Sequence, residues 1–105
     1  MDKILSVFNK LNIKIRYANT RENLTVPYGI YKRNKDDNIF ADDSIFRKRG
    51  SVTLELYYQD LKRELELERE LERLLAENRL DYEKSEDVLL EDKETFVVYY
   101  DIKEI

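Results

Sequence analysis

Residues 51–78 read SVTLELYYQDLKRELELERELERLLAEN, and their reading decides the fold. Val52, Leu54, Leu56 and Tyr58 alternate with Thr53, Glu55, Tyr57 and Gln59. An apolar residue at every second position predicts a strand with one buried face. The period changes at Asp60, whose carboxylate can accept hydrogen bonds from the free N–H groups that open a helix. Leu61, Leu65, Leu67, Leu71, Leu74 and Leu75 then spread over about half a helical circumference. The pattern predicts a helix from Asp60 to about Asn78. Glu66 with Arg69 and Glu70 with Arg73 fall three residues apart on its wet face. Arg73 and Arg79 suit the negative end of its dipole.

The segments on either side follow the same logic. Asp2 can cap a first helix, with Ile4, Phe8 and Leu11 on one stripe and Leu5 beside them. Asn12 is a stop. Ile13, Ile15 and Tyr17 alternate with Lys14 and Arg16 as a strand, and residues 18–25 are a polar loop. Val26, Tyr28 and Ile30 alternate again. Pro27 cannot donate to a ladder, so this strand starts there or lies at an edge. Gly29 inside it signals a bend or a close backbone approach. Towards the C-terminus, residues 82–84 form a short strand, and Val88–Leu90 and Phe96–Ile102 form a hairpin around EDKE at 91–94. Phe96, Val98, Tyr100 and Ile102 share one face and Val97 and Tyr99 the other, so this strand is predicted to be central.

The sum is a single α+β domain over residues 1–105. Its sheet is mixed or largely antiparallel, has about four to five strands and is packed with two helices. A chain of 105 residues suits one domain. With 8 Tyr and 4 Phe against 2 Gly and 1 Pro, it reads as folded.

Composition also limits the chemistry. The chain has no Cys and no His. Zinc, haem and iron–sulfur sites lose their usual ligands, and Cys-nucleophile and His-base chemistry is excluded. No apolar run approaches the roughly 20 residues of a membrane span, and the N-terminal segment is too polar for a secretory core. The expectation is a soluble protein made in a cytoplasm. No Gly-rich phosphate loop is present, so no catalytic residue, metal ligand or cofactor is assigned and no enzyme activity is expected.

The acidic clusters need separate reading. Asp36, Asp37, Asn38, Asp42 and Asp43 suggest calcium, but an EF-hand loop from Asp36 needs Gly at its sixth position and Glu at its twelfth. Those positions are Ala41 and Arg47. Arg47, Lys48 and Arg49 are too few, beside four Asp, to form a phosphate footprint. Neither nucleic acid nor membrane is expected as a partner. Glu64, Glu66, Glu68, Glu70 and Glu72 are interleaved with Arg and are expected to form a solvated helix face.

Residues 32–50 form the longest stretch without periodicity, and a loop of that length in a small domain is often functional. Ile39, Phe40, Ile45 and Phe46 lie within it. Either the loop folds back on the core or these residues dock onto another chain. Charge is also divided along the chain. Residues 1–50 carry 11 Lys/Arg and 6 Asp/Glu, a net of +5, whereas residues 51–105 carry 8 and 17, a net of −9. Both halves can share one surface on folding, or a positive face of one copy can meet a negative face of the next.

Several residues also carry a resemblance to a known family. Pro27, Tyr28 and Gly29 come first. Ala41, Asp42 and Asp43 follow in the long loop, then Leu54, Glu55, Leu56 and Tyr57, then Asp60 with its Leu/Glu helix. In this order, and over nearly the whole chain, they resemble the tail terminator or tail completion proteins of long-tailed bacteriophages. The resemblance implies an α+β fold and a homo-oligomeric ring, a hexamer in the virion. That ring caps the head-proximal end of the tail tube, stops its polymerisation and joins the head. The implied partners are further copies of the chain, the tail tube protein and a head completion or connector protein. The implied location is the virion tail, with assembly in the host cytoplasm. The candidate interface is Asp36, Asp37, Phe40, Asp42, Asp43, Ile45, Phe46, Arg47, Lys48 and Arg49, with Phe40, Ile45 and Phe46 as anchors and the basic residues at the rim. Alternatives are another head–tail connector component, or an acidic adaptor or inhibitor of a host protein.

Overall fold

The computed structural model describes residues 2–34 and 51–104. Helix α1 spans Asp2–Lys10 and is followed by strands β1 (Lys14–Tyr17), β2 (Tyr28–Arg33) and β3 (Ser51–Tyr58). Helix α2 (Leu61–Glu77) leads to β4 (Leu80–Lys84), β5 (Val88–Leu89) and β6 (Phe96–Glu104). The six strands form one sheet in the order β1-β2-β3-β6-β4, with β5 also on β6. Among the described strands only the β1–β2 pair is parallel. The expected α+β class is therefore found, with one strand more than the upper expectation.

Strands β4 and β5 share one side of β6 but in two registers. Lys84 lies opposite Tyr100, and Val88 lies opposite Val97. Four steps on one strand therefore face three on the other, which is a bulge of one residue. Ser85 bridges it: its N–H donates to the Tyr99 carbonyl at 2.9 Å, and its hydroxyl accepts from the Tyr99 N–H at 2.9 Å.

Both helices lie on one side of the sheet. From α1 come Ile4, Val7 and Phe8, and from α2 Leu71, Leu74 and Leu75. They meet Val52, Leu54, Leu56, Val98, Tyr100 and Ile102 in a single core. Strand β6 lies between β3 and β4, so its expected central position is found. Asp60 caps α2 as expected, accepting from the Lys62 N–H at 3.0 Å, and Asn78 follows the last turn.

Three expectations change. In β2 the core side carries Gly29 and Tyr31 rather than Tyr28 and Ile30, because Gly29 pairs with Leu56 and Tyr31 with Leu54. Gly29 fills a close approach. A Cβ there would lie 3.1 Å from Ile15 Cγ1 and from Leu54 Cδ1, and 3.3 Å from Leu56 Cδ2. In α2, Leu61 and Leu65 are 55% and 52% exposed, so the apolar stripe is narrower than its leucines suggest. Arg73 does not serve the helix end; Glu70 and Glu77 hold its guanidinium.

Candidate interaction surfaces

The ten residues of the predicted interface, Asp36 to Arg49, lie outside the described residues. Their attachment points are described. The Asn34 N–H donates to the Ser51 carbonyl at 2.9 Å, and its side-chain amide donates to the Ser51 hydroxyl at 2.9 Å. The Thr53 hydroxyl lies 3.0 Å from the Asn34 side-chain oxygen. These bonds pin the end of β2 to the start of β3, so the segment departs and returns at adjacent points.

No described helix covers the second face of the sheet. Strand alternation puts Tyr28 and Ile30 of β2, Thr53, Glu55 and Tyr57 of β3, and Val97, Tyr99 and Asp101 of β6 there. Tyr28 and Tyr57 are cross-strand partners with stacked rings, 4.9 Å between centroids and 18° between planes. Tyr57 donates to Glu55 at 2.6 Å. Burial, and then the Glu55 carboxylate, raise both phenols above the ordinary tyrosine range. Tyr99 is 37% exposed and Val88 42%. This face therefore offers stacked and half-exposed aromatic rings beside carboxylates. Tyrosines with an apolar body and a polar tip are suited to contact with another protein.

The two ends of the sheet differ in charge. Strand β1 pairs only with β2 among the described strands, and β4 only with β6. On the bare face β1 carries Lys14 and Arg16, and β4 carries Asp81 and Glu83. Arg16 already holds Glu22 at 2.7 Å. Glu83 lies directly opposite Asp101, and like charges in that position repel. On this face Lys14 and Arg16 give the β1 edge a basic pair and Asp81 and Glu83 give the β4 edge an acidic one.

The glutamate run needs the clearest correction. Glu64 is 1% exposed and Glu68 5%, whereas the run was expected to face solvent throughout. Positions 64, 68, 71 and 75 follow the i, i+4, i+7, i+11 spacing of one helical stripe, so two carboxylates continue the line of Leu71 and Leu75 into the core. That spacing was the available signal; the interleaved arginines masked it. Glu68 takes Lys84 at 2.5 Å. Glu72 accepts from Tyr100 at 2.6 Å and from Tyr82 at 3.0 Å. Burial, and then the Glu72 carboxylate, raise the Tyr100 phenol. Neither oxygen of Glu64 has a hydrogen-bond partner among the described residues. Burial first, and then the adjoining Glu68 carboxylate, push its carboxyl up to about 10, so it holds a proton at neutral pH.

A buried protonated carboxyl is a known device for proton transfer. Here a reacting atom would need to reach a group that is 1% exposed. Two surface hollows adjoin Arg63, one beside Pro27 and Tyr58 and the other beside Ile13 and Leu67, and Glu64 lines neither. The described residues hold no group of three or more acidic side chains arranged for a metal ion. No described helix is long and apolar enough to cross a membrane. In comparisons with known proteins, no family model, no curated protein and no solved structure matches this chain.

Proposed function

We propose that this chain is a bacteriophage tail assembly protein of the terminator or completion type, acting by binding alone. It would form a ring on the head-proximal end of the tail tube, halt its growth and present a surface for head joining. The observation that carries the reading is the bare side of the sheet. The core lies on the helix side, while Tyr28, Tyr57, Tyr99 and Val88 stand on the other side, where no helix among the described residues covers them. Such a surface suits a partner protein better than water.

The ordered sequence signals add support. Tyr28 and Gly29 lie in β2, Leu54, Glu55, Leu56 and Tyr57 in β3, and Asp60 at the cap of α2. The chain therefore has the α+β frame that the resemblance implies. The residues from Asp36 to Arg49 are the further candidate contact, leaving the sheet at the Asn34–Ser51 clasp.

Co-sedimentation tests the reading. Preassembled tail tubes should pull the chain into the pellet at a few copies per tube, whatever the tube length. Binding in proportion to tube length would contradict capping, and no binding would contradict the proposal as a whole.

A further inference from the structure

We infer that copies of this chain join edge to edge, with the basic β1 edge of one copy continuing the sheet at the acidic β4 edge of the next. The inference rests on reading the chain as ring-forming, and it names the surfaces that meet. Four observations carry it.

Both strands are open on one side. Each pairs with a single neighbour among the described strands, so each has one row of backbone groups directed away from the sheet.

Direction fits. Strand β1 is parallel to β2, and the next three pairings are antiparallel. Strands β1 and β4 therefore run in opposite directions. A second copy in the same orientation brings its β1 against β4 as an antiparallel pair, which can form without a change in either strand.

Charge fits residue by residue. Lys14 and Arg16 alternate on the bare face of β1, and Asp81 and Glu83 on the bare face of β4. Antiparallel pairing with Lys14 opposite Glu83 puts Arg16 opposite Asp81. Each meeting is between opposite charges. Charged residues on edges also discourage random strand pairing. That purpose does not require one sign at one edge and the other sign at the other.

The acidic edge is balanced at Asp81, which faces Lys103, but not at Glu83, and the helix-side residues match too. Glu83 lies opposite Asp101 within one chain. A lysine arriving beside Glu83 relieves that repulsion. In the same register Ile15 falls opposite Tyr82, and Tyr17 opposite Leu80. Tyr17 is 42% exposed and Tyr82 37%, so each edge offers one uncovered ring on the helix side. An open groove lined by Ala76, Arg79, Leu80, Asp81 and Tyr82 runs along β4, where Tyr17 would arrive.

A four-residue strand contact is small beside the roughly 1,200 Å² of a stable interface. A single junction is therefore weak, and closure of a ring, which makes each further contact intramolecular, is what would hold the assembly together. Head-to-tail contact is the kind that closes into rings.

A charge-swap series on the full-length chain tests this, with self-association measured by sedimentation velocity in low salt. Lys14→Glu and Glu83→Lys should each weaken association at least ten-fold. The double variant, Lys14→Glu with Glu83→Lys, should regain it, because both partners of the pair are exchanged. All three should unfold at temperatures close to that of the parent. Single variants that associate like the parent would overturn the inference, as would a double variant that stays as weak as the singles. Trapping gives a second reading for weak association, since the chain has no cysteine. A Lys14→Cys chain mixed with a Glu83→Cys chain should oxidise to a mixed dimer in preference to either like pair. The statistical outcome, with the mixed dimer at only half of the total, would overturn the inference. Tube capping without this cross-link would refute the edge contact alone. The cross-link without capping would refute the tail reading alone.

Discussion

The two faces of the sheet are built from the same strands, yet they are closed by different means. On the helix side, every second residue of β3 and β6 enters a core with α1 and α2, and Val52, Leu54, Leu56, Val98, Tyr100 and Ile102 are fully buried. On the other side, the intervening residues are tyrosines, a threonine, carboxylates and the buried Val97, held by cross-strand bonds such as Thr53 to Asp101 at 2.6 Å. The first face explains why the chain folds. The second carries aromatic surface that no described helix covers, and it is there that a binding role finds its support. The comparison teaches that position on the strand, rather than residue type, separates scaffold from contact. Tyr100 is a core residue, and its neighbour Tyr99 is a surface one.

The comparison breaks first at Leu56. It is fully buried, and Leu56→Ala should cost about 2–5 kcal/mol in urea unfolding. A loss below about 1 kcal/mol would mean the covered face is not the core. Gly29→Val probes the same face from the opposite direction. The added methyls enter a space where a single Cβ already lies 3.1 Å from two side chains. The expected loss is about 2 kcal/mol, through overpacking.

Glu64 sharpens the comparison, because it is a polar residue on the covered face. Its folded pKa is raised from 4.5 to about 10. Between those values the folded chain holds a proton that the unfolded chain has released, so stability falls as pH rises through that window. Glu64→Gln keeps the shape and removes the proton. It should change stability by less than about 1 kcal/mol at pH 5 and raise it at pH 8 by several kcal/mol, at about 1.4 kcal/mol per pH unit between the two. Unfolding curves at the two pH values decide, and an equal shift at both would show that Glu64 is not titrating.

The smallest stability effect belongs to the bare face. Tyr99→Ser should change unfolding by less than about 0.5 kcal/mol. The same change should weaken association with tail tubes. A large loss of stability with unchanged binding would reverse the assignment of the two faces.

Much of the frame was legible in the sequence. The period-two run at 51–58 and the capping Asp60 located β3 and the start of α2 because local patterning and tertiary burial agree there. The same was true of β6, where both faces are apolar. Legibility failed where a residue's type contradicts its position. Leu61 and Leu65 face outward at the helix start while Glu64 and Glu68 face inward, and the partner of Glu68 is Lys84, far along the chain on β4. No local period reports a partner that distant. The parallel pairing of β1 with β2 is of the same kind. The candidate site was legible only in part. Charge division along the chain pointed to two surfaces of opposite sign, but which strands carry them follows from topology. The residues at Asp36–Arg49 lie outside the described structure.

The central claim is that the chain stops a growing tube by binding its end. The most direct measurement is the distribution of tube lengths, by negative-stain electron microscopy, when tail tube protein polymerises with increasing amounts of this chain. The account predicts shorter tubes as the chain is added, each with extra density at one end. Tubes of unchanged length with bare ends would contradict it.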